Sequence, residues 1–88
     1  MTTAENVTTD ELRIGDVIRT HGMRLLIDGP IDTYDDNGRT VYRTDALLTN
    51  ADEITDNAFL VHFTKRADGA RRWIIQGNDL AGWLRELP

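Results

Sequence analysis

Four cations and two tryptophans supply the clearest candidate chemistry in this chain. Lys65, Arg66, Arg71 and Arg72 flank a turn at Ala67-Asp68-Gly69, and Trp73 follows directly. Cationic side chains beside an aromatic ring suit single-stranded nucleic acid, with charge for phosphate and a ring for base stacking. The same residues also suit a solvated hairpin whose cations answer acids elsewhere, with Trp73 in the core. A net charge of −5 favours that second reading, because nucleic-acid binders carry a basic footprint. Trp83, in Gly82-Trp83-Leu84, is either the last core layer or an exposed anchor of the kind common at interface hot spots, and core is the preferred placement. Lys65, Arg66, Arg71, Arg72 and Trp83 are therefore the candidate partner-binding residues.

Catalytic constellations are harder to assemble. The chain has no cysteine and no serine, which removes thiol nucleophiles, disulfides, cysteine-ligated zinc and the G-x-S-x-G elbow. His21 sits beside a turn glycine and His62 alternates with aliphatic residues, neither with a nucleophile close in sequence. No phosphate-cradling glycine motif occurs. Asp32-Thr33-Tyr34-Asp35-Asp36-Asn37-Gly38 superficially resembles an acidic calcium loop, but placing Gly38 sixth puts Thr33 first and Thr44 twelfth, where ligating carboxylates are required. A hairpin turn explains the segment better. The expectation is a protein that is not an enzyme and takes no cofactor or metal.

Eighty-eight residues make one domain with one modest core. Hydrophobic residues at 40% and charged residues at 28% match globular usage, which argues against wholesale disorder. No apolar run approaches the ~20 residues that span a bilayer, and the N-terminus lacks the pattern of a secretory signal. A cytoplasmic location with no membrane partner is expected. The charge is unevenly spread. Residues 28–56 carry eight acids against Arg39 and Arg43, whereas 57–88 carry Lys65 and four arginines against three acids.

The elements that would hold these residues are mostly strands. Residues 1–9 are polar and read as a flexible end, leaving 10–88 as the domain. Gly15-Asp16 marks a turn, Val17-Ile18 opens a strand, and His21-Gly22 makes a hairpin tip before Met23, Leu25 and Ile27, which share one face. Asp28-Gly29-Pro30 should interrupt pairing, since proline cannot donate to a ladder. Asn37-Gly38 tolerates the positive φ angles of a type I′ turn and predicts a hairpin over 31–45. Asn50 and Glu53 are spaced to cap a helical turn at 51–55. A second hairpin is predicted over 59–76, with Phe59, Val61 and Phe63 on one face. Leu80, Trp83, Leu84 and Leu87 fall on one helical stripe, and the C-terminus is read as a turn that extends into a short helix, with a closing strand as the alternative.

Together these predict a mainly β fold, a small half-open barrel of about five strands resembling the Src-homology type, with a short C-terminal helical turn. Its core would hold Leu12, Ile14, Ile18, Leu25, Ile27, Val41, Phe59, Val61, Phe63, Trp73, Ile75 and Leu80. A core this small leaves a thin margin, so a homo-oligomer through a sheet edge is a further expectation.

The ordered set Leu12-x-Ile14-Gly15-Asp16-Val17-Ile18, His21-Gly22-Met23, Trp73-Ile74-Ile75-Gln76-Gly77-Asn78-Asp79 and Trp83 resembles small uncharacterised proteins of actinobacterial phages over residues 10–85. The resemblance agrees with nine arginines to a single lysine and implies a phage accessory protein in the host cytoplasm, but brings no activity or site residues. The leading functional expectation is a non-catalytic module that docks on a host or phage protein. The alternative is a nucleic-acid-binding barrel using the basic hairpin 64–73.

Overall fold

The structure, a computed structural model, describes residues 4–54, 64–65 and 71–87. Among the described residues, eight strands form one antiparallel sheet that curls into a half-barrel: β1 (Ala4–Thr8), β2 (Val17–Thr20), β3 (Met23–Ile27), β4 (Asp32–Asp36), β5 (Arg39–Leu48), β6 (Thr64–Lys65), β7 (Arg71–Asn78) and β8 (Gly82–Glu86). Their order is β1-β8-β2-β3-β5-β7-β6, with β4 pairing β5 beside this path. The mainly β half-barrel expected from the sequence is thus present, with more strands than the five expected.

Two tight hairpins form where the turn residues require them. His21 and Gly22 have φ of 51° and 81°, and Asn37 and Gly38 have 53° and 85°. These are the left-handed values of two-residue turns, whose twist matches the flanking strands. At residues 28–31 the chain leaves the ladder, as Pro30 predicts. Below the break β3 pairs Ala46–Leu48 of β5, and above it β4 pairs Arg39–Arg43 on the same side. The other side of β5 pairs β7 from Val41 to Leu47.

Leu12, Ile18, Leu25, Ile27, Val41 and Ile75 are buried as expected, and the core also takes Val7, Met23, Ala46 and Leu48. Ile14 and Leu80, expected inside, lie at the surface. Both sit in tight turns, where backbone bonds rather than apolar burial fix the chain: Asp16 N–H donates to the Arg13 carbonyl, and Ala81 N–H to that of Asn78. Phe59, Val61, Phe63 and the tip at 67–69 lie outside the described residues. The second hairpin is represented by β6 against β7, with Thr64 opposite Arg72 and Lys65 opposite Arg71.

The first and last elements among the described residues are strands. Residues 4–8 pair all along β8 rather than fraying. At the C-terminus the turn is confined to 79–81, and β8 then bonds β1 on one side and β2 on the other. The helical stripe loses because β1 offers backbone partners along all of β8 and β2 adds more at Leu84 and Arg85, whereas Gly82 would weaken a short helix. Asn50 does not cap its turn. A 3₁₀ turn occupies Ala51–Glu53 alone, and the Asn50 side chain points into the protein.

Candidate functional site

Residues facing each other across an antiparallel ladder share a face. On β5 the even-numbered side chains Thr44, Ala46 and Leu48 point inward and are buried. Arg43, Asp45 and Leu47 face outward with their register partners, giving rows Asp32–Arg43–Gln76, Asp45–Ile74 and Leu47–Arg72. Where residues 28–31 bulge from the sheet, this outer face sinks into a cleft of about 610 Å³. Asp28, Asp32, Arg43, Asp45, Arg72 and Ile74 carry its chemistry.

One end of the cleft is a fixed ion cluster. Arg72 Nε donates to Asp45 Oδ2 at 2.9 Å, Nη1 to Asp28 Oδ2 at 3.0 Å, and Nη2 to Asp28 Oδ1 and to the Asp45 carbonyl. Its side chain is only 11% exposed, and the bidentate bond from Asp28 leads in pushing its pKa above the ordinary arginine value, with burial opposing and Asp45 adding to the rise. Arg72 therefore pins the bulge to the sheet, with its charge answered by two carboxylates. The other end is open. Arg43 and Asp32 face each other with no ion pair among the described residues, and Ile74 is 47% exposed between the two ends. Beyond it, Gln76 Nε2 donates to the Tyr34 hydroxyl at 2.7 Å, fixing a half-exposed ring at the rim.

The sequence-predicted binding residues do not converge. Arg72 belongs to the cleft, but as a structural tie. Arg71 is its neighbour on β7 and so falls on the opposite face of the strand; it has an interaction of its own. Lys65 takes its place on β6 opposite Arg71, and Arg66 lies outside the described residues. Trp83 is half-buried against the core, as preferred, and its Nε1–H donates to Thr9 Oγ1 at 2.8 Å. Sequence reasoning missed Asp28, Asp32, Arg43, Asp45 and Ile74. Their shared face follows from the hairpin register over 31–45, but their union with β7 depends on a pairing between distant segments.

A second ion cluster is structural. Glu86, with a side chain 7% exposed, accepts from Arg19 Nη2 at 2.8 Å and from Arg24 Nε and Nη2 at 3.0 and 2.8 Å. The Arg24 bonds lead in holding its carboxyl below the usual glutamate range; burial opposes them and Arg19 assists. A carboxyl with a lowered folded pKa contributes stability above its unfolded pKa and loses it as pH falls through the folded value. Urea midpoints are thus expected to drop as pH is lowered below the ordinary glutamate range. Glu86→Gln should lower the midpoint at neutral pH and flatten this acid limb. Superimposable limbs for the two proteins would refute the assignment.

Comparison of the chain with protein-family models, with curated proteins and with solved structures gives no match in any of the three.

Proposed function

We propose that this chain is a non-catalytic protein-interaction module whose contact surface is the outer face of β4, β5 and β7, centred on the cleft. The observation that carries the reading is an exposed Ile74 flanked by Arg43 and Asp32, charges of both signs with no ion pair among the described residues, on strands tied together by Arg72. An apolar centre with a polar rim is the ordinary anatomy of a protein interface. A sequence resemblance to phage proteins supports the further proposal of an accessory role in a host cell.

The nucleic-acid reading draws less support. It rests on Lys65, Arg66, Arg71 and Arg72; of these Arg72 has its charge met by Asp28 and Asp45, and the cleft it lines also carries Asp32, so three acids there oppose a phosphate. Ile74→Lys separates the two. The lysine stands opposite Asp45, so folding stability should change by no more than about 0.5 kcal/mol. A partner protein retained from the chain's native cells by the immobilised wild type should be lost at least about tenfold, or about 1.4 kcal/mol. Leu84→Lys, on another strand, should retain it. Equal retention by wild type and Ile74→Lys would refute the docking face. Nuclease-sensitive retention that strengthens in Ile74→Lys would establish nucleic acid instead.

A further inference from the structure

We propose that the outer edge of β4 accepts an extended basic segment of a partner protein as an added strand. This deepens the interaction reading above and rests on it. The backbone sets the geometry. A two-residue turn makes Asp36 and Arg39 a hydrogen-bonded pair, and such pairs alternate along an antiparallel ladder. Tyr34–Val41 and Asp32–Arg43 are therefore bonded pairs as well. The N–H and C=O groups of Thr33 and Asp35 consequently point away from β5. Nothing pairs that side among the described residues, and all five residues of β4 are exposed. Two donors and two acceptors thus stand in the register that an incoming strand needs.

Charge selects the occupant. Asp32, Tyr34 and Asp36 share one face of β4, and Asp35 lies on the other. Opposite charges directly across a ladder attract and like charges repel. A second copy is disfavoured, because antiparallel pairing centred on Tyr34 sets Asp32 against the copy's Asp36. A segment with lysine or arginine opposite Asp32 and Asp36, and an apolar residue opposite Tyr34, complements the three residues of that face. Asp32 also lines the cleft, so a strand added here runs to the docking face and makes one continuous surface.

The test uses a blocked peptide of about seven residues that alternates threonine with lysine, valine and lysine, matching the pattern above. Its counterpart carries glutamate for lysine. With the full chain and the lysine peptide at about ten times its measured Kd, amide exchange should slow about tenfold at Thr33 and Asp35. Thr33→Pro removes an outward donor and leaves the bonds to β5 in place, and should raise the Kd at least tenfold. The doubly substituted Asp32→Lys/Asp36→Lys chain should prefer the glutamate peptide, which supplies a reading if the proline variant folds poorly. The proposal is overturned by absence of binding at millimolar lysine peptide, by equal binding of both peptides, or by protection confined to other strands. Protection of Thr33 that grows with protein concentration alone would assign the edge to a second copy. If the native partner is lost in Ile74→Lys but kept in Thr33→Pro, strand addition fails while the docking face stands.

Discussion

Asn50→Ala is expected to lower the unfolding free energy by about 2–4 kcal/mol, because it strands two backbone groups that the side chain now satisfies. Asn50 is 4% exposed; its Oδ1 accepts from the Arg24 N–H at 2.9 Å and its Nδ2 donates to the Gly22 carbonyl at 3.0 Å. β3 and β5 pair from Leu25–Leu48 to Ile27–Ala46, so the amide continues their ladder one step past the point where β5 ends. It also holds the His21-Gly22 turn against the barrel. The Nδ2 atom reaches Glu53 Oε2 as well, at 3.3 Å, which joins the 3₁₀ turn to the same point. Asn50→Asp keeps the acceptor for Arg24, loses both donors and faces Glu53 with like charge. It should therefore destabilise too, with protection at the Arg24 amide retained and the turn loosened. Urea unfolding with residue-resolved hydrogen exchange distinguishes the variants. A change below about 0.5 kcal/mol for Asn50→Ala would show that water replaces the amide at no net cost.

Asn50 also illustrates what the sequence can and cannot display. Asparagine three residues before glutamate reads as a helix cap, and a one-turn helix does follow, but the buried role of the side chain depends on a hairpin some thirty residues earlier. Local signals were legible wherever backbone chemistry alone decides. Asn37-Gly38 and His21-Gly22 must take positive φ, and Pro30 must break a ladder; all three do as the residues dictate. The inward row Met23, Leu25, Ile27 was legible by alternation alone. At the C-terminus the pattern misled. Leu80, Trp83, Leu84 and Leu87 satisfy a helical period, yet β8 is a strand because β1 and β2 present it with open edges. No local window contains those edges.

The same limit governs the candidate site. The basic cluster at 64–73 reads as one site because its members are adjacent in sequence, but a strand sends neighbours to opposite faces. Arg72 goes to the cleft and its neighbour Arg71 to the other side. Conversely, Asp28, Asp45 and Arg72 lie far apart in sequence and meet because β7 pairs β5. The charge imbalance between 28–56 and 57–88 correctly anticipates attraction between the two segments. Part of it is spent internally in the Arg72 tie to Asp28 and Asp45. The three acids of β4 have no ion pair among the described residues, which is why the edge of that strand is selective for cations.

Gly77→Ala is expected to cost about 1–3 kcal/mol, the scale for overfilling a packed site, although glycine within a strand is ordinarily worse than alanine by about 0.5–1 kcal/mol. The sign reverses because of what lies against this backbone. A Cβ on Gly77 would meet the Ala81 Cβ at 2.9 Å, Thr9 Oγ1 at 3.0 Å and Trp83 Cζ2 at 3.5 Å. None of these neighbours is a flexible tip with room to retreat. The buried Thr9 donates its N–H to the Ala81 carbonyl at 3.2 Å, and its hydroxyl accepts from Trp83 while reaching the same carbonyl. Here the segment after β1 is bonded to the turn before β8, and β7 must pass close enough to seal them. Ala81→Gly removes the nearest obstruction, so adding it to Gly77→Ala should recover part of the loss, with a coupling of about 0.5–3 kcal/mol. Gly77→Val should exceed Gly77→Ala, since its two further methyls add volume to a site that a Cβ alone already overfills. Urea unfolding followed by tryptophan fluorescence reads both stability and the surroundings of Trp83. Purely additive effects in the double variant would mean that Ala81 already yields, and that the seal is set by Thr9 and Trp83 alone.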